Sequence, residues 1–419
     1  MTEQLQMLAP EQDSRLAWWR LLASVALATV GGVGIWSSVV VLPSVEVEFG
    51  VDRSGAALPF FATMTGLAVG GIIMGRLSDR VGIMPLLMLG GLMLGSGYIL
   101  SALVASYWQF VLVQAVMIGM LGSSVSFGPL VADISLWFSK HRGLAVALVA
   151  SGNYLAGALW PPVLEPLIHM VGWRQTHMFV GAFCMISMLP ISLMLRRRPV
   201  IDEPGDELNG EPGQVGTAVR HRQITSGLSP SALQALLVIA GLACCVAMSM
   251  PQVHIIAYCL DLGYGTARGA EMLSIMLGLG IVSRLASGWI ADHIGGIRTL
   301  ILGSTLQCVA LFLYLPFDGL TPLYLVSAIF GLSQGGIVPS YALIVRDYFP
   351  AREAGARVSL VLMATVVGMA IGGWMSGEIY DLTGSYQAAF MNGIAWNLLN
   401  MSIAFWLLLR PRALRVRTG

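Results

Sequence analysis

The sequence predicts an all-α integral membrane protein, with twelve transmembrane helices in two pseudo-symmetric six-helix bundles. Three observations carry that reading. The first is composition: 56% of the 419 residues are apolar and only 11% are charged. A water-soluble chain uses about a quarter charged residues to cover its surface. The second is the length of the apolar runs, which match the roughly 20 residues a helix needs to cross hydrocarbon. The third is an internal repeat that divides the chain into halves.

The spans are expected at about 19–43, 56–76, 85–105, 107–131, 144–168, 177–195, 231–257, 267–290, 298–316, 321–345, 357–379 and 386–409. Barrel strands are about 10 residues long and alternate in polarity, which these runs do not. Lipid offers no hydrogen-bond partners, so each span must satisfy its own backbone as a helix. Residues 1–16 form a polar tail with no basic n-region or small-residue cleavage site, so the first span is expected to be retained. Residues 196–230, with the run RRRPVIDEPGDELNGEPGQVG, are rich in Pro, Gly and acids and read as a linker. The expected domains are therefore a bundle over 17–195, the linker, a bundle over 231–410 and a tail over 411–419.

Orientation follows from the 23 Lys and Arg residues. Only Arg53, Arg174 and Arg268 fall on the side opposite the termini, and Arg284 falls within a span. The positive-inside rule then places both termini and the linker in the cytoplasm of a cell whose inner (plasma) membrane holds the chain. The net charge of +1 offers no attraction for a nucleic acid. The five cysteines, Cys184, Cys244, Cys245, Cys259 and Cys308, show no metal-ligand spacing and read as small buried side chains. No Walker-type phosphate loop and no nucleophile–base constellation occurs, so neither an ATPase nor another enzyme is expected, and no cofactor or metal.

The repeat is visible at a constant spacing. GRLSDRVGIMPLLMLG (75–90) aligns with GWIADHIGGIRTLILG (288–303), so that Gly75, Asp79, Gly82 and Gly90 meet Gly288, Asp292, Gly295 and Gly303. Both segments follow the second span of their half. Two parallel six-helix repeats point to a transporter that rocks about a midplane cavity.

GRLSDRVG resembles the signature loop of the major facilitator superfamily, and GWIADHIG resembles its second-half echo. WFSKHRGLAVALVASG (137–152), PPVLEPLIHMVGWR (161–174), VHIIAYCLDLG (253–263) and SRLASGWIADHIG (283–295) are similar to segments of monocarboxylate transporters, their bacterial relatives and the oxalate:formate antiporter group. The resemblance implies a secondary carrier of small organic anions, often proton-coupled. It also implies a gating role for Asp79 against the eleventh helix, with Gly75, Arg80, Gly82 and Arg142 around it and Asp292 as its mirror. Three departures stand out. Ile83, Met84 and Pro85 replace the usual basic continuation of the loop, and Gly280 stands where mammalian members carry an acid. The first span lacks their Lys, so the usual proton relay is not visible.

Arg284 is the most informative residue. It lies eight residues before Asp292, about 12 Å deep by helical rise, with no acid beside it. Placing Arg mid-span costs about 2.5–3.5 kcal/mol even on insertion scales. A guanidinium fork matches a carboxylate in two hydrogen bonds, so Arg284 is the expected substrate anchor. Its alternatives are a packing role against a carbonyl or distant acid, or snorkelling. No second cation falls at midplane, and the eleventh span lacks Lys and Arg, which favours monocarboxylates over dicarboxylates.

His254, near the outer end of the seventh span, is a candidate proton carrier, substrate contact or outer gate, or else a histidine bonded to a carbonyl freed by Pro251. Asn153, Ser123, Ser124, Gln334, Tyr341 and Trp36 sit at cavity depth and could bind substrate. For each alone, helix–helix packing is the stronger reading. Glu165, Glu271 and Glu378 are expected near the outer water and not as proton sites. The expected function is a monomeric proton–monocarboxylate symporter. The alternative is an exporter or antiporter of another metabolite or drug, although SGNYLAGALWPP stands where drug–proton antiporters carry a GP-rich motif.

Overall fold

The computed structural model describes residues 13–138, 141–197, 223–225, 228–410 and 413–415. Among the described residues, twelve helices are long and apolar enough to cross a membrane. In the first half they are Arg15–Val40, Arg53–Ser78, Ile83–Leu103, Tyr107–Ile134, Gly143–Val171 and Trp173–Met194. In the second half they are Pro230–Asp261, Thr266–Ile294, Gly296–Leu313, Leu320–Tyr348, Gly355–Thr383 and Tyr386–Leu409. An even number of crossings puts the start of the first span and the end of the twelfth on one face, called here the terminal face, with the far face opposite.

Several helices run past their apolar stretches. The seventh continues to Asp261 and the eleventh to Thr383. The second begins at Arg53 because Asp52 caps it, accepting from the Gly55 amide at 2.8 Å. Polar ends stay helical here because their side chains find partners across the far face. A short helix, Leu42–Phe49, lies between the first and second spans. Gln223–Thr225 and Ala413–Arg415 pair antiparallel, with Ile224 opposite Leu414, a local pairing that hydropathy gave no sign of.

The halves repeat in geometry as well as in sequence. Gly82 and Gly295 each end their half's second helix at positive φ, 85° and 84°. A side chain would be strained at either, so glycine is required at both turns. The halves meet chiefly where the second span packs on the eleventh and the fifth on the eighth. Under the repeat the second span corresponds to the eighth and the fifth to the eleventh, so this is one contact made twice.

Four spans are interrupted. The first breaks at Gly32, the fifth at Ser151 and the tenth at Gly335–Gly336, while the fourth passes through a π-helical run over Gln114–Gly122. Irregular backbone is tolerated at membrane depth only where protein or a cavity surrounds it. Carbonyls near these breaks receive side chains: Gly31 O accepts from Ser123 Oγ at 2.9 Å. The break in the tenth span also sets the eighth. A Cβ on Gly335 would run into the Gly280 carbonyl and the Arg284 amide, so only glycine allows this approach.

Candidate functional site

A cavity of about 840 Å³ lies between the halves. Trp36, Tyr154, Gln252 and Arg284 line it at mid-depth, and Ser135, Gly143 and Arg346 line it toward the terminal face. Most of the remaining wall is apolar.

Arg284 faces this cavity rather than the lipid. Its Nη1 donates to Ala150 O at 2.7 Å, and its Cζ sits 4.4 Å from the centre of the Tyr154 ring. Its Nε is buried without a protein partner. Among the described residues no aspartate or glutamate pairs with it. A carbonyl and a ring face hold the guanidinium in place and leave its charge uncompensated. Such a group can receive an anion.

Three expected neighbours, Trp36, Asn153 and Ser123, join it in the cavity wall. Trp36 lines the cavity and its Nε1 donates to Asn153 O at 3.0 Å and to Asn153 Oδ1 at 3.2 Å. Ser123 also lines the cavity, with its hydroxyl spent on Gly31 O. The others are held elsewhere. Ser124 donates to Met120 O at 2.6 Å and packs beside Gly70. Tyr341 is fully buried and donates to Asn400 Oδ1 at 2.7 Å, while Asn400 donates to Ser304 Oγ at 2.8 Å. Gln334 stands one layer behind the wall, accepting from Gln252 Nε2 and donating to Met276 O at 3.4 Å.

His254 is fully buried between the cavity and the far face. Its Nε2 lies 2.7 Å from Gly373 O and its ring packs on Tyr386. That carbonyl can only accept, so Nε2 carries the proton and Nδ1 is left without a protein partner.

The far face is closed by a network that hydropathy did not reveal. Arg53, only 6% exposed, places Nε 2.9 Å from Glu46 Oε2 and Nη2 3.2 Å from Asp261 Oδ1. It also donates to Tyr386 OH at 2.6 Å. Asp381 takes the Arg53 and Ser54 amides at 2.9 and 2.7 Å, capping the second span from the eleventh. One guanidinium and one helix N-terminus thus hold three carboxylates, two of them from the opposite half. Burial raises the Glu46 carboxyl above its ordinary value. Arg53 pulls it back, but that guanidinium is shared, and the Asp261 and Asp381 charges push it up further.

A second tie joins the fifth and eighth spans, where Thr266 Oγ1 donates to Glu165 Oε1 at 2.7 Å and His169 Nε2 lies 3.0 Å from the same oxygen. Glu165 is buried, which corrects the expectation that water reaches it. Its chain position is near the outer end, but the opposing half covers it. Glu271 is exposed and pairs with Arg268 at 3.0 Å.

The loop motif lies at the terminal face, where the cavity opens. Gly82 makes the turn, and a Cβ on Gly75 would meet open space. Arg80 and Asp292 are exposed. The side chains of Asp79 and Arg142 lie outside the described residues.

Sequence reasoning missed Tyr154, Gln252 and Arg346 as cavity residues, and Arg53 as a closure. Gln252 had a signal, being an amide inside an apolar run two residues before His254. Tyr154 had none, because a tyrosine beside Asn153 reads equally well as packing.

The family model described as the Major Facilitator Superfamily matches residues 24–322 and 284–419. Monocarboxylate transporter 13 of Bos taurus is 27% identical over 83% of this chain and 79% of its own length. Monocarboxylate transporter 11 of Mus musculus is 28% identical over 75% and 70%. The MFS-type transporter pynF of Aspergillus niger is 23% identical over 75% and 69%. Among solved structures, a bacterial homologue of the human lysosomal transporter Spinster, inward-facing and unoccupied, superposes with a TM-score of 0.70 at 12% identity, covering 94% of this chain and 97% of that one. A peptide transporter POT in complex with sulfate gives 0.72 at 14% identity, over 93% and 94%.

Proposed function

The chain belongs to the Major Facilitator Superfamily, and on that premise we propose that it is a proton-coupled carrier of small monocarboxylate anions working by alternating access. It is a multi-pass membrane transporter and not an enzyme. The observation that carries the anion reading is Arg284, a cavity-lining guanidinium that a ring and a carbonyl hold and no described carboxylate neutralises. Arg346 lines the cavity nearer the terminal face, and the one described cation at mid-depth, Arg284, suits one carboxylate. The low-identity likeness to monocarboxylate transporters supports the same cargo.

In this reading the terminal face is cytoplasmic, the chain sits in the plasma membrane as a monomer, and the bundles over 17–195 and 231–410 rock about the cavity. The conformation is then inward-facing, with Arg53 closing the outside. Coupling has a physical reason. Moving one anion inward against an inside-negative potential costs about 2.3 kcal/mol per 100 mV, and a proton carried with it removes that cost. His254 Nδ1, buried and without a protein partner, is the site we assign to that proton.

The test is uptake into reconstituted vesicles. An imposed proton gradient, acid outside, should drive a labelled monocarboxylate to accumulate, and His254→Gln should leave only downhill exchange. No acceleration by the gradient would remove the coupling.

The apolar cavity wall favours one second reading, export of a hydrophobic metabolite. A hydrophobic cation that stabilises the protein better than any carboxylate would support it.

A further inference from the structure

We infer that the cargo is a monocarboxylate with a bulky apolar body and a hydrogen-bond donor at the end remote from its carboxylate; this rests on the carrier reading above and narrows it. The cavity, at about 840 Å³, falls within the roughly 300–1,000 Å³ of sites that hold drug-sized ligands. Its wall beyond Arg284 is built for apolar surface, from Met64, Met248, Leu277 and Met369. Trp36 adds a ring face and nothing more, because its only donor is committed to Asn153. Thioethers and aromatic faces adapt to a flat hydrophobic body.

The donor is called for by Gln252. This side chain lines the cavity, is 2% exposed, and its Oε1 has no protein partner. The surrounding bonds fix which end of the amide is free. Gln334 gives its NH2 to Met276 O and therefore turns its carbonyl to Gln252, which must donate and leave its own Oε1 over. A buried acceptor left unpaired is costly, so a ligand that supplies a donor there gains and one that does not loses.

The separation decides between cargo sizes. Gln334 Nε2 lies 3.5 Å from where a Cβ on Gly280 would be, and the Tyr154 ring lies against the same glycine. Arg284 is four residues further along that helix, about 6 Å toward the terminal face. A ligand anchored at Arg284 therefore passes the Tyr154 ring before it reaches Gln252. The para substituent of an arylpropanoate lies a ring's length beyond its carboxylate, as this order of residues requires, whereas the hydroxyl of a 2-hydroxy acid sits one carbon from its carboxylate.

The test is equilibrium binding to the full chain in lipid discs with four probes: propanoate, 3-phenylpropanoate, its 4-hydroxy derivative and its 4-methoxy derivative. The inference predicts that 3-phenylpropanoate binds at least about tenfold tighter than propanoate, since each buried CH2 contributes about fourfold. The 4-hydroxyl should add about three- to tenfold, and the 4-methoxy group, which keeps the oxygen but lacks the donor, should not. In Gln252→Leu the hydroxyl gain should vanish while 3-phenylpropanoate still binds. Propanoate binding as tightly as 3-phenylpropanoate would overturn the inference and leave the carrier reading standing, as would a methoxy derivative matching the hydroxy one. If no carboxylate bound at all, the carrier reading would fall with it.

Discussion

The Arg284 guanidinium stands 4.4 Å over the Tyr154 ring, joining the eighth span of one half to the fifth span of the other. The ring attracts the cation without neutralising it, so the anchor is held in place and its charge stays available. A cation over an aromatic face is worth about 0.5–2 kcal/mol, more when water is excluded. Tyr154→Leu should therefore weaken carboxylate binding by about 2–30-fold, and Tyr154→Phe should keep it near the original value. Binding isotherms for the two variants check this. Equal loss in both would mean that the hydroxyl, not the ring, matters.

Arg53 ties Glu46 of its own half to Asp261 and Tyr386 of the other. Its removal should loosen the far face. Phe60, fully buried just inside this network, is a natural reporter site. In a cysteine-free background, Phe60→Cys should react about tenfold faster with a membrane-impermeant thiol reagent once Arg53→Ala is added, the change that one 1.4 kcal/mol interaction produces. An unchanged rate would show that the apolar contacts alone hold this face shut.

The same closure should respond to pH. Glu46 has a raised pKa in this closed arrangement, so the closed state binds protons more readily than a state in which Glu46 is hydrated. Closure is therefore strengthened as pH falls through the carboxyl's titration range and weakened above it. Labelling of Phe60→Cys should slow as the far-face solution is taken from neutral to about pH 5. Glu46→Gln should flatten that dependence and keep labelling slow at neutral pH.

Arg20 and Asp133 form a two-pronged pair, with both contacts at 2.8 Å and side chains 3% and 9% exposed. Removing one partner strands a buried charge, which costs about 3–5 kcal/mol. Asp133→Ala should lower the thermal midpoint of the purified protein strongly, and Arg20→Met with Asp133→Leu should recover much of the loss. Recovery would separate a stranded charge from a lost attraction.

Span number, the division into halves and the repeat were legible because hydrophobic length and glycine placement are local properties. Gly82 and Gly295 appear in the sequence as a matched pair, and the backbone shows why, since both turn at positive φ. Arg284 was legible because a lone charge in a lipid-length run is costly wherever it points. Tyr341 and Ser124 were not separable from cavity residues, because depth along a helix is readable and the direction a side chain faces is not. They turn to Asn400 and to a carbonyl of their own helix. Arg53 was least visible. Its partners Asp261 and Tyr386 are more than 200 residues away and meet it only through the packing of the halves.

The most direct test of the account is carboxylate binding by Arg284 variants in lipid discs, measured beside a folding control such as the thermal midpoint. The account predicts that Arg284→Ala keeps the fold and loses at least about 100-fold in affinity, as two charge-assisted hydrogen bonds would require. Arg284→Lys should fall between, with the charge kept and the fork lost. Carboxylate affinity unchanged in Arg284→Ala would contradict it.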